Sequence, residues 1–451
     1  MKKYYISIIG AGYVGLSTAI GFASRGYKVI ASDIDNRKIT SINKGMAPFY
    51  EPNLNNLLQK VVRKGNLKCT LDRQEAVLDT EVTFITVGTP NQPDGSINLK
   101  HVKNAASEIG KILNKKDTYH LVVVKSTVIP GTTENVVKPI LEKHSKKQCG
   151  TDFSLCMNPE FLREGSVVHD ILHPDRIIIG EHDQKSGNTL ERLYQGFYGE
   201  QIPPTVRTNL ATAEIIKYAN NAFLATKISF INQIANICQK ISGVDVNVVA
   251  KAIGLDKRIG SSFLNAGLGY GGSCLPKDVN ALIAFSKKLG YNSLLFNAVQ
   301  KINDRQPYRA VELAKKKLGN LKDKRIAVLG LAFKPDTDDM REAVSVKIIN
   351  RLLEEGANVI AYDPKAIPHA KSIFKNKIKY ADTAVECITN AECCILVTEW
   401  GEFKKLTPEK FIRHMKNPVV IDGRRVYDPK HFKSKLEFSA VGFKNNRKKE
   451  S

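Results

Sequence analysis

The sequence predicts an α/β protein built as two Rossmann-like, doubly wound domains joined by a long central helix, and three observations predict it. Short β-branched runs alternate with helical patterns from residue 4 to about 180, and a second alternation starts at residue 324. The first run enters the loop Gly10-Ala11-Gly12-Tyr13-Val14-Gly15, which opens a helix. Between the two alternations, residues 210–242 contain neither Gly nor Pro.

Taken in order, strands are expected at residues 4–10, 27–33, 82–87, 120–126, 153–157 and 176–179. Strands separated by helices imply parallel βαβ units. The first ten residues resemble the start of a signal peptide, but Ser7 interrupts the apolar run and the glycine loop follows at once, so they read as a buried strand. The helix over 210–242 is apolar around much of its circumference, which suits burial between domains or subunits and a dimer contact. Residues 313–324 are polar and read as a helix end with a linker. Strands at 324–330, 357–362, 393–397 and 418–422 then rebuild the alternation, as a weak echo of the first domain rather than a sequence repeat.

The bulk numbers agree with this plan. A chain of 451 residues has room for two or three domains, and 42% hydrophobic with 25% charged residues is a soluble globular composition. No apolar stretch approaches the roughly 20 residues that cross a bilayer, so a cytoplasmic protein with no membrane partner is expected. The net charge of +23 invites a nucleic-acid reading. The lysines, however, lie in scattered pairs such as Lys115-Lys116, Lys146-Lys147 and Lys287-Lys288, apart from a tail at 444–451, so solvated helix faces and no specific nucleic acid are expected. Eight cysteines show no paired metal spacing, and no metal is expected. All but Cys274 read as reduced core residues.

In the opening loop Gly10 permits a tight turn, Gly12 lets backbone approach a pyrophosphate, and Gly15 packs the helix on the strand. The helix amino end then offers N–H groups to phosphates. Asp33 ends the next strand about 20 residues on, where a carboxylate binds the adenosine ribose and repels a 2′-phosphate, favouring NAD over NADP. Arg37 and Lys38 act against that preference. Thr89 and Thr127 follow strand ends feeding the same crevice and read equally as turn hydroxyls.

Cys274 lies in Gly-Tyr-Gly-Gly-Ser-Cys-Leu-Pro-Lys-Asp, residues 269–278. Gly271, Gly272 and Ser273 free the backbone to pass close to a ligand, and Pro276 suits the first turn of a helix. A thiol at a helix amino end beside Lys277 has a raised thiolate fraction. Beside a hydride acceptor, such a thiol permits a covalent thiohemiacetal that is oxidised again, a four-electron oxidation. Asp278 can polarise water or serve as a first-turn acid. Lys217 and Asn221, four residues apart, share a helix face and can hold an oxyanion, although a salt-bridged surface lysine is the ordinary alternative. Glu160 and Glu164 follow a strand end, and either can be a base for water or an ion-pair partner of Arg163.

Six motifs carry a family resemblance: the loop at 10–15, Phe-Ile-Thr-Val-Gly-Thr-Pro at 84–90, Lys-Ser-Thr-Val-Ile-Pro-Gly at 125–131, Asn-Pro-Glu-Phe-Leu-Arg-Glu at 158–164, Lys-Tyr-Ala-Asn-Asn at 217–221, and Gly-Gly-Ser-Cys-Leu-Pro-Lys-Asp at 271–278. The chain resembles the UDP-glucose/GDP-mannose dehydrogenase family from about residue 4 to 430, its UDP-glucose branch above all. The resemblance implies NAD-dependent oxidation of UDP-glucose at C6 to UDP-glucuronate, with GDP-mannose or a UDP-N-acetylhexosamine as alternative substrates. It implies Cys274 as nucleophile, Glu160 as base in the hydrolytic half, and Thr127, Lys217, Asn221 and Asp278 placing water and stabilising oxyanions. Cofactor contacts are expected at Gly10, Gly12, Tyr13, Val14, Gly15, Asp33, Lys38, Thr89, Thr127, Glu164, Lys277 and Arg341.

Substrate contacts are expected at Glu160, Phe161, Leu162, Lys217, Asn221, Phe263 and Gly271, and at Phe333, Lys334, Arg424 and Arg425 of the second α/β domain. Arg258 resembles a residue that reaches the ligand of a neighbouring subunit in related dimers, so self-association as a homodimer or larger is expected. The expected division is a NAD-binding domain at 1–205, a central helical region at 206–318, a UDP-sugar-binding domain at 319–435 and a basic tail at 436–451. Leu275 stands where UDP-glucose enzymes often have Phe and the other branches often have Leu, whereas residues 258–272 tilt the resemblance back toward UDP-glucose.

Overall fold

The computed structural model describes residues 4–444, so the last seven residues of the expected basic tail, 445–451, lie outside the described residues. The chain divides into two compact units that meet in sequence between Asn220 and Asn221. In the first unit eight strands form one sheet: β1 (Ile6–Ile9), β2 (Val29–Ser32), β3 (Leu67–Thr70), β4 (Val82–Ile85), β5 (His120–Val124), β6 (Phe153–Met157), β7 (Ile177–Glu181) and β8 (Thr205–Asn209), in the order β3-β2-β1-β4-β5-β6-β7-β8. In the second, β9 (Arg325–Leu329), β10 (Asn358–Tyr362), β11 (Lys379–Tyr380), β12 (Cys393–Leu396), β13 (Val419–Asp422) and β14 (Glu437–Ala440) form a sheet ordered β11-β10-β9-β12-β13-β14. Both sheets reverse direction of winding beside their first strand, the switch point at which such folds bind ligands.

β1, β4, β5 and β6 are buried at every residue, which follows from helices covering both faces of a parallel sheet. One apolar cluster lies on each face of the first sheet, built around Leu16, Phe22 and Phe84 on one side and Ile109, Val124 and Leu141 on the other. The second sheet is enclosed by a larger cluster that takes in Cys387, Cys393 and Cys394.

The doubly wound folds and the central helix are present, with four differences from the sequence expectation. β7 runs antiparallel to β6, so the first sheet is not wholly parallel. β3, β8, β11 and β14 were not expected. β14 falls inside the segment read as a basic tail, where it pairs with β13 and buries Phe438 and Ala440. The long helix spans Leu210–Cys238, ending before residue 242. Lys116, read as half of a solvated pair, is buried, its ammonium donating to the carbonyls of Val77 and Leu78 at 2.9 Å each.

Candidate active site

The loop after β1 shows why its three glycines differ. Gly10 has φ +102°, and a Cβ at Gly15 would lie 1.8 Å from the Gly10 carbonyl oxygen. Those two are dictated by the packing of strand on helix. A Cβ at Gly12 would meet nothing within 4 Å, so Gly12 faces open space at the amino end of helix Tyr13–Ser24. That helix has no side-chain cap and no acidic residue in its first turn, leaving Tyr13, Val14 and Gly15 to present backbone N–H groups to an anion. Asp33, just past β2, accepts from Ala11 N at 2.8 Å and from Asp35 N at 3.0 Å, with the Lys38 ammonium 3.8 Å away. Its carboxylate therefore braces the loop, and each oxygen keeps a lone pair for a ribose hydroxyl. The residues fit a dinucleotide.

At the ends of β4 and β5, Thr89 Oγ1 donates to the Thr127 carbonyl at 2.8 Å, which ties the two loops. Glu164 is buried. Sequence reasoning missed Glu51, a buried carboxylate that accepts from Tyr13 OH, from Gly165 N at 2.7 Å and from Val167 N at 2.9 Å. It fixes Tyr13 against the segment after β6, and burial followed by the bond to Glu51 pushes the Tyr13 phenol far above its ordinary range. No local motif marks it.

Past β6 the site tightens. The Lys217 ammonium donates to the Glu160 carbonyl at 2.7 Å and to Glu160 Oε1 at 3.1 Å, and Glu160 Oε2 accepts from Leu162 N at 2.6 Å. Both side chains are buried, so Lys217 is no surface lysine. Burial raises the Glu160 carboxyl, but Lys217 and the Leu162 N–H overcome it and hold the group below its usual range. Phe161 is flanked by two cations, with Arg176 4.0 Å from its ring centre and Lys217 5.3 Å. Arg163 pairs with Asp170 at 2.6 Å and so leaves Glu160 to Lys217. A cavity of about 120 Å³ opens against Glu160, Phe161 and Leu162.

In the second unit Cys274 occupies the cap position of helix Leu275–Lys288, with Pro276 in its first turn as expected. Asp278 is buried, accepts from Asn221 Nδ2 at 2.6 Å and pairs with the Lys277 ammonium. Its own N–H donates to the Cys274 carbonyl at 2.9 Å. The glycines before the cysteine are dictated by close approach, since a Cβ at Gly271 would sit 2.2 Å from the Glu342 carbonyl oxygen and one at Gly272, at φ +83°, 2.7 Å from the Phe333 ring. Lys334 lies 5.7 Å from that ring's centre. Further upstream Asn232 accepts from Gly267 N, Gln306 donates to Gly267 O, and Asn303 holds Tyr270 through both its N–H and its carbonyl. These amides were also missed, for they lie on, or just past, helices distant in sequence.

The arginines diverge. Arg424 donates to the Val397 carbonyl at 2.6 Å and to the Gly269 carbonyl at 3.2 Å, so it belongs with the glycine loop. Arg425 was expected on the substrate, yet its side chain is 4% exposed and bonds both oxygens of Asp245, at 2.8 and 2.9 Å, and the Val441 carbonyl. Its positive φ of 57° turns it into the fold, where it anchors the start of helix Val246–Gly254. Arg258 is 89% exposed and paired with Asp256, and Arg341 is exposed and paired with Asp339. Phe263 is half-buried at φ +64°.

A switch-point glycine loop with an unobstructed helix amino end, followed by a carboxylate past the second strand, defines a dinucleotide-binding protein of the NAD type. The sequence matches the UDP-glucose/GDP-mannose dehydrogenase family in three parts: its NAD binding domain over residues 4–198, its central domain over 211–305 and its UDP binding domain over 327–429. The chain belongs to that family, and it is an NAD-dependent nucleotide-sugar dehydrogenase. It is 46% identical to the UDP-glucose 6-dehydrogenase AglM of Haloferax volcanii, over 93% of this chain and 96% of that one. Among solved structures it resembles a UDP-glucose dehydrogenase of Pyrobaculum islandicum (TM-score 0.91, 38% identity, 98% of both chains) and a UDP-D-ManNAc dehydrogenase of Pyrococcus horikoshii (TM-score 0.85, 30% identity, 97% and 99%). Among the described residues no helix is long and apolar enough to cross a membrane.

Proposed function

We propose that the protein oxidises UDP-glucose at C6 to UDP-glucuronate, with Cys274 carrying the sugar as a thiohemiacetal and then as a thioester. The observation that carries this reading is Cys274 at a helix amino end, one turn from an Asp278 that is buried and bonded to Asn221. NAD, held at Gly10, Gly12, Gly15 and Asp33, supplies the hydride acceptor, two molecules being reduced per sugar. The Cys274 thiolate adds to the C6 aldehyde, and Asn221 and Lys217 donate to the oxygen that becomes negative. After the second oxidation, Glu160 takes a proton from the water that attacks the thioester, and the thiol is released with the acid. Thr127 and Asp278 place that water. The similarity to the Haloferax and Pyrobaculum proteins supports glucose as the sugar, whereas Leu275 and the similarity to the Pyrococcus protein support a UDP-N-acetylhexosamine as the second reading.

The same helix supports self-association. Phe223, Phe230 and Ile237 recur every seven residues of Leu210–Cys238 and are all exposed, a stripe suited to a second copy of the chain.

NADH formation against a panel of nucleotide sugars tests the substrate. UDP-glucose is expected to give two NADH per sugar, and a preference for any other sugar overturns the assignment. Glu160→Gln keeps an acceptor for Lys217, so it is expected to fold and to show an NADH burst, turnover ~100-fold slower or worse, and a mass increase of one acyl group on Cys274. Absence of both burst and adduct removes Glu160 from the hydrolytic step.

A further inference from the structure

The cavity beside Glu160 has one wall that the scheme above does not use. Val124 of β5 and Met157 of β6 are in register, which sets the next residues, Lys125 and Asn158, side by side at the strand ends. Both line the cavity with Glu160 and Tyr194. The Lys125 ammonium donates to Asn158 Oδ1 at 2.8 Å, and Tyr194 OH donates to the same oxygen at 2.5 Å. Asn158 Nδ2 donates to the Ile178 carbonyl at 2.8 Å, so the amide is fixed at both ends.

Lys125 is an expensive residue for the fold. It is buried, and the acceptor its ammonium reaches is a neutral amide oxygen that it shares with Tyr194 OH. A buried ammonium held that way costs stability, and an apolar side chain of the same length would not. Burial pushes its pKa down to about 8, with Glu160 acting to raise it and Lys217 to lower it. Lys125 in turn lowers the Glu160 carboxyl, adding to Lys217. One carboxylate thus lies under the influence of two buried lysines, one bonded to it and one acting through space.

We propose that Lys125 is a positioning residue for Glu160, its ammonium fixed on Asn158 so that the buried carboxylate stays ionised and bound to Lys217 when water enters the cavity. The cavity, at about 120 Å³, has room for water. The inference rests on Glu160 being the base of the hydrolytic half. The other charged or titratable groups around the cavity are Arg163 and its partner Asp170, His169, His173, Asp175, Arg176 and Tyr198. The two histidines line the same cavity, so they need a control.

The test is Lys125→Met in the full-length enzyme, with Lys125→Arg, Glu160→Gln and Lys125→Met/Glu160→Gln beside it. Lys125→Met is expected to keep NAD affinity and the NADH burst within about twofold and to lose at least tenfold in turnover at pH 7. The acidic limb of its pH profile should move to higher pH, because burial is less opposed once Lys125 is gone and raises the Glu160 carboxyl. Its thermal midpoint should be unchanged or higher. The double variant should be no slower than Glu160→Gln alone, since two groups acting through one step do not add. Lys125→Arg should restore most turnover and keep the limb in place. An unmoved limb in Lys125→Met, a full further tenfold loss in the double variant, or a limb that moves instead in His169→Gln/His173→Gln would each overturn the proposal. Failure of the base assignment shows separately, as a missing adduct in Glu160→Gln.

Discussion

Gly10 after β1 and Gly330 after β9 both sit at positive φ, +102° and +97°, and both donate to the last residue of the neighbouring strand, Ser32 at 2.7 Å and Tyr362 at 2.8 Å. Beyond them the two turns part. In the first unit Asp33 takes one loop N–H, from Ala11, and Gly12 faces open space. In the second, Asp363 accepts from Leu331 N at 2.7 Å, Ala332 N at 3.0 Å and Trp400 Nε1 at 3.0 Å on one oxygen, and from Lys365 N and Ala366 N at 2.9 Å on the other. Ala332 stands where Gly12 does, and Asp363 is 1% exposed. A switch point is a dinucleotide site only while donors and space are left over. The second unit has spent both on its own packing, so its expected ligand contacts, Phe333, Lys334 and Arg424, lie on later residues.

The largest expected effect tests the division of labour that follows. Cys274→Ser should lower acid formation by about 1000-fold or more while NAD binding, measured by fluorescence titration, stays the same, because a serine oxygen is not ionised at neutral pH. Near-normal rates would take the thiol out of the mechanism. Next, Asp363→Ala strands several buried donors at ~1–3 kcal/mol each and should cost at least ~3 kcal/mol in denaturant unfolding. Asp33→Ala should cost less than half as much and narrow the preference for NAD over NADP instead. Equal stability losses, or equal use of both cofactors by the unaltered enzyme, would erase the contrast.

The smallest effects separate the glycines. Gly330→Ala places a Cβ 2.4 Å from Thr398 Cβ and should lower the thermal midpoint with NAD affinity intact. Gly12→Ala has no such clash in the protein and should weaken NAD about tenfold with the midpoint unchanged. A midpoint loss in Gly12→Ala would mean the loop is under strain rather than open.

Reading the sequence found every central strand and missed β3, β8, β11 and β14, which are the four edges of the two sheets. An edge strand is short and half-exposed, so it lacks the continuous apolar run that betrays its neighbours. β3 alternates buried and exposed over four residues, and β11 has only two. In the candidate site, the glycine loop and the cysteine turn were legible because close approach and positive φ demand glycine at set spacings. What each charged group pairs with was not. Glu160 meets Lys217, Asn221 meets Asp278 and Arg425 meets Asp245 across 57, 57 and 180 residues, and only tertiary structure decides such pairs.

The cysteines carry a practical consequence. Seven of the eight are buried, and burial pushes the thiols of Cys69, Cys149, Cys156 and Cys387 up to about 12 and raises those of Cys238, Cys393 and Cys394 as well. Cys274 alone is partly exposed. A soft alkylating reagent or dilute peroxide should therefore modify the native chain at one stoichiometric position and leave its core sulfur untouched. With Cys274 as the nucleophile proposed above, such a reagent would count competent molecules in a mixture, and oxidation at that one position would silence the enzyme without unfolding it.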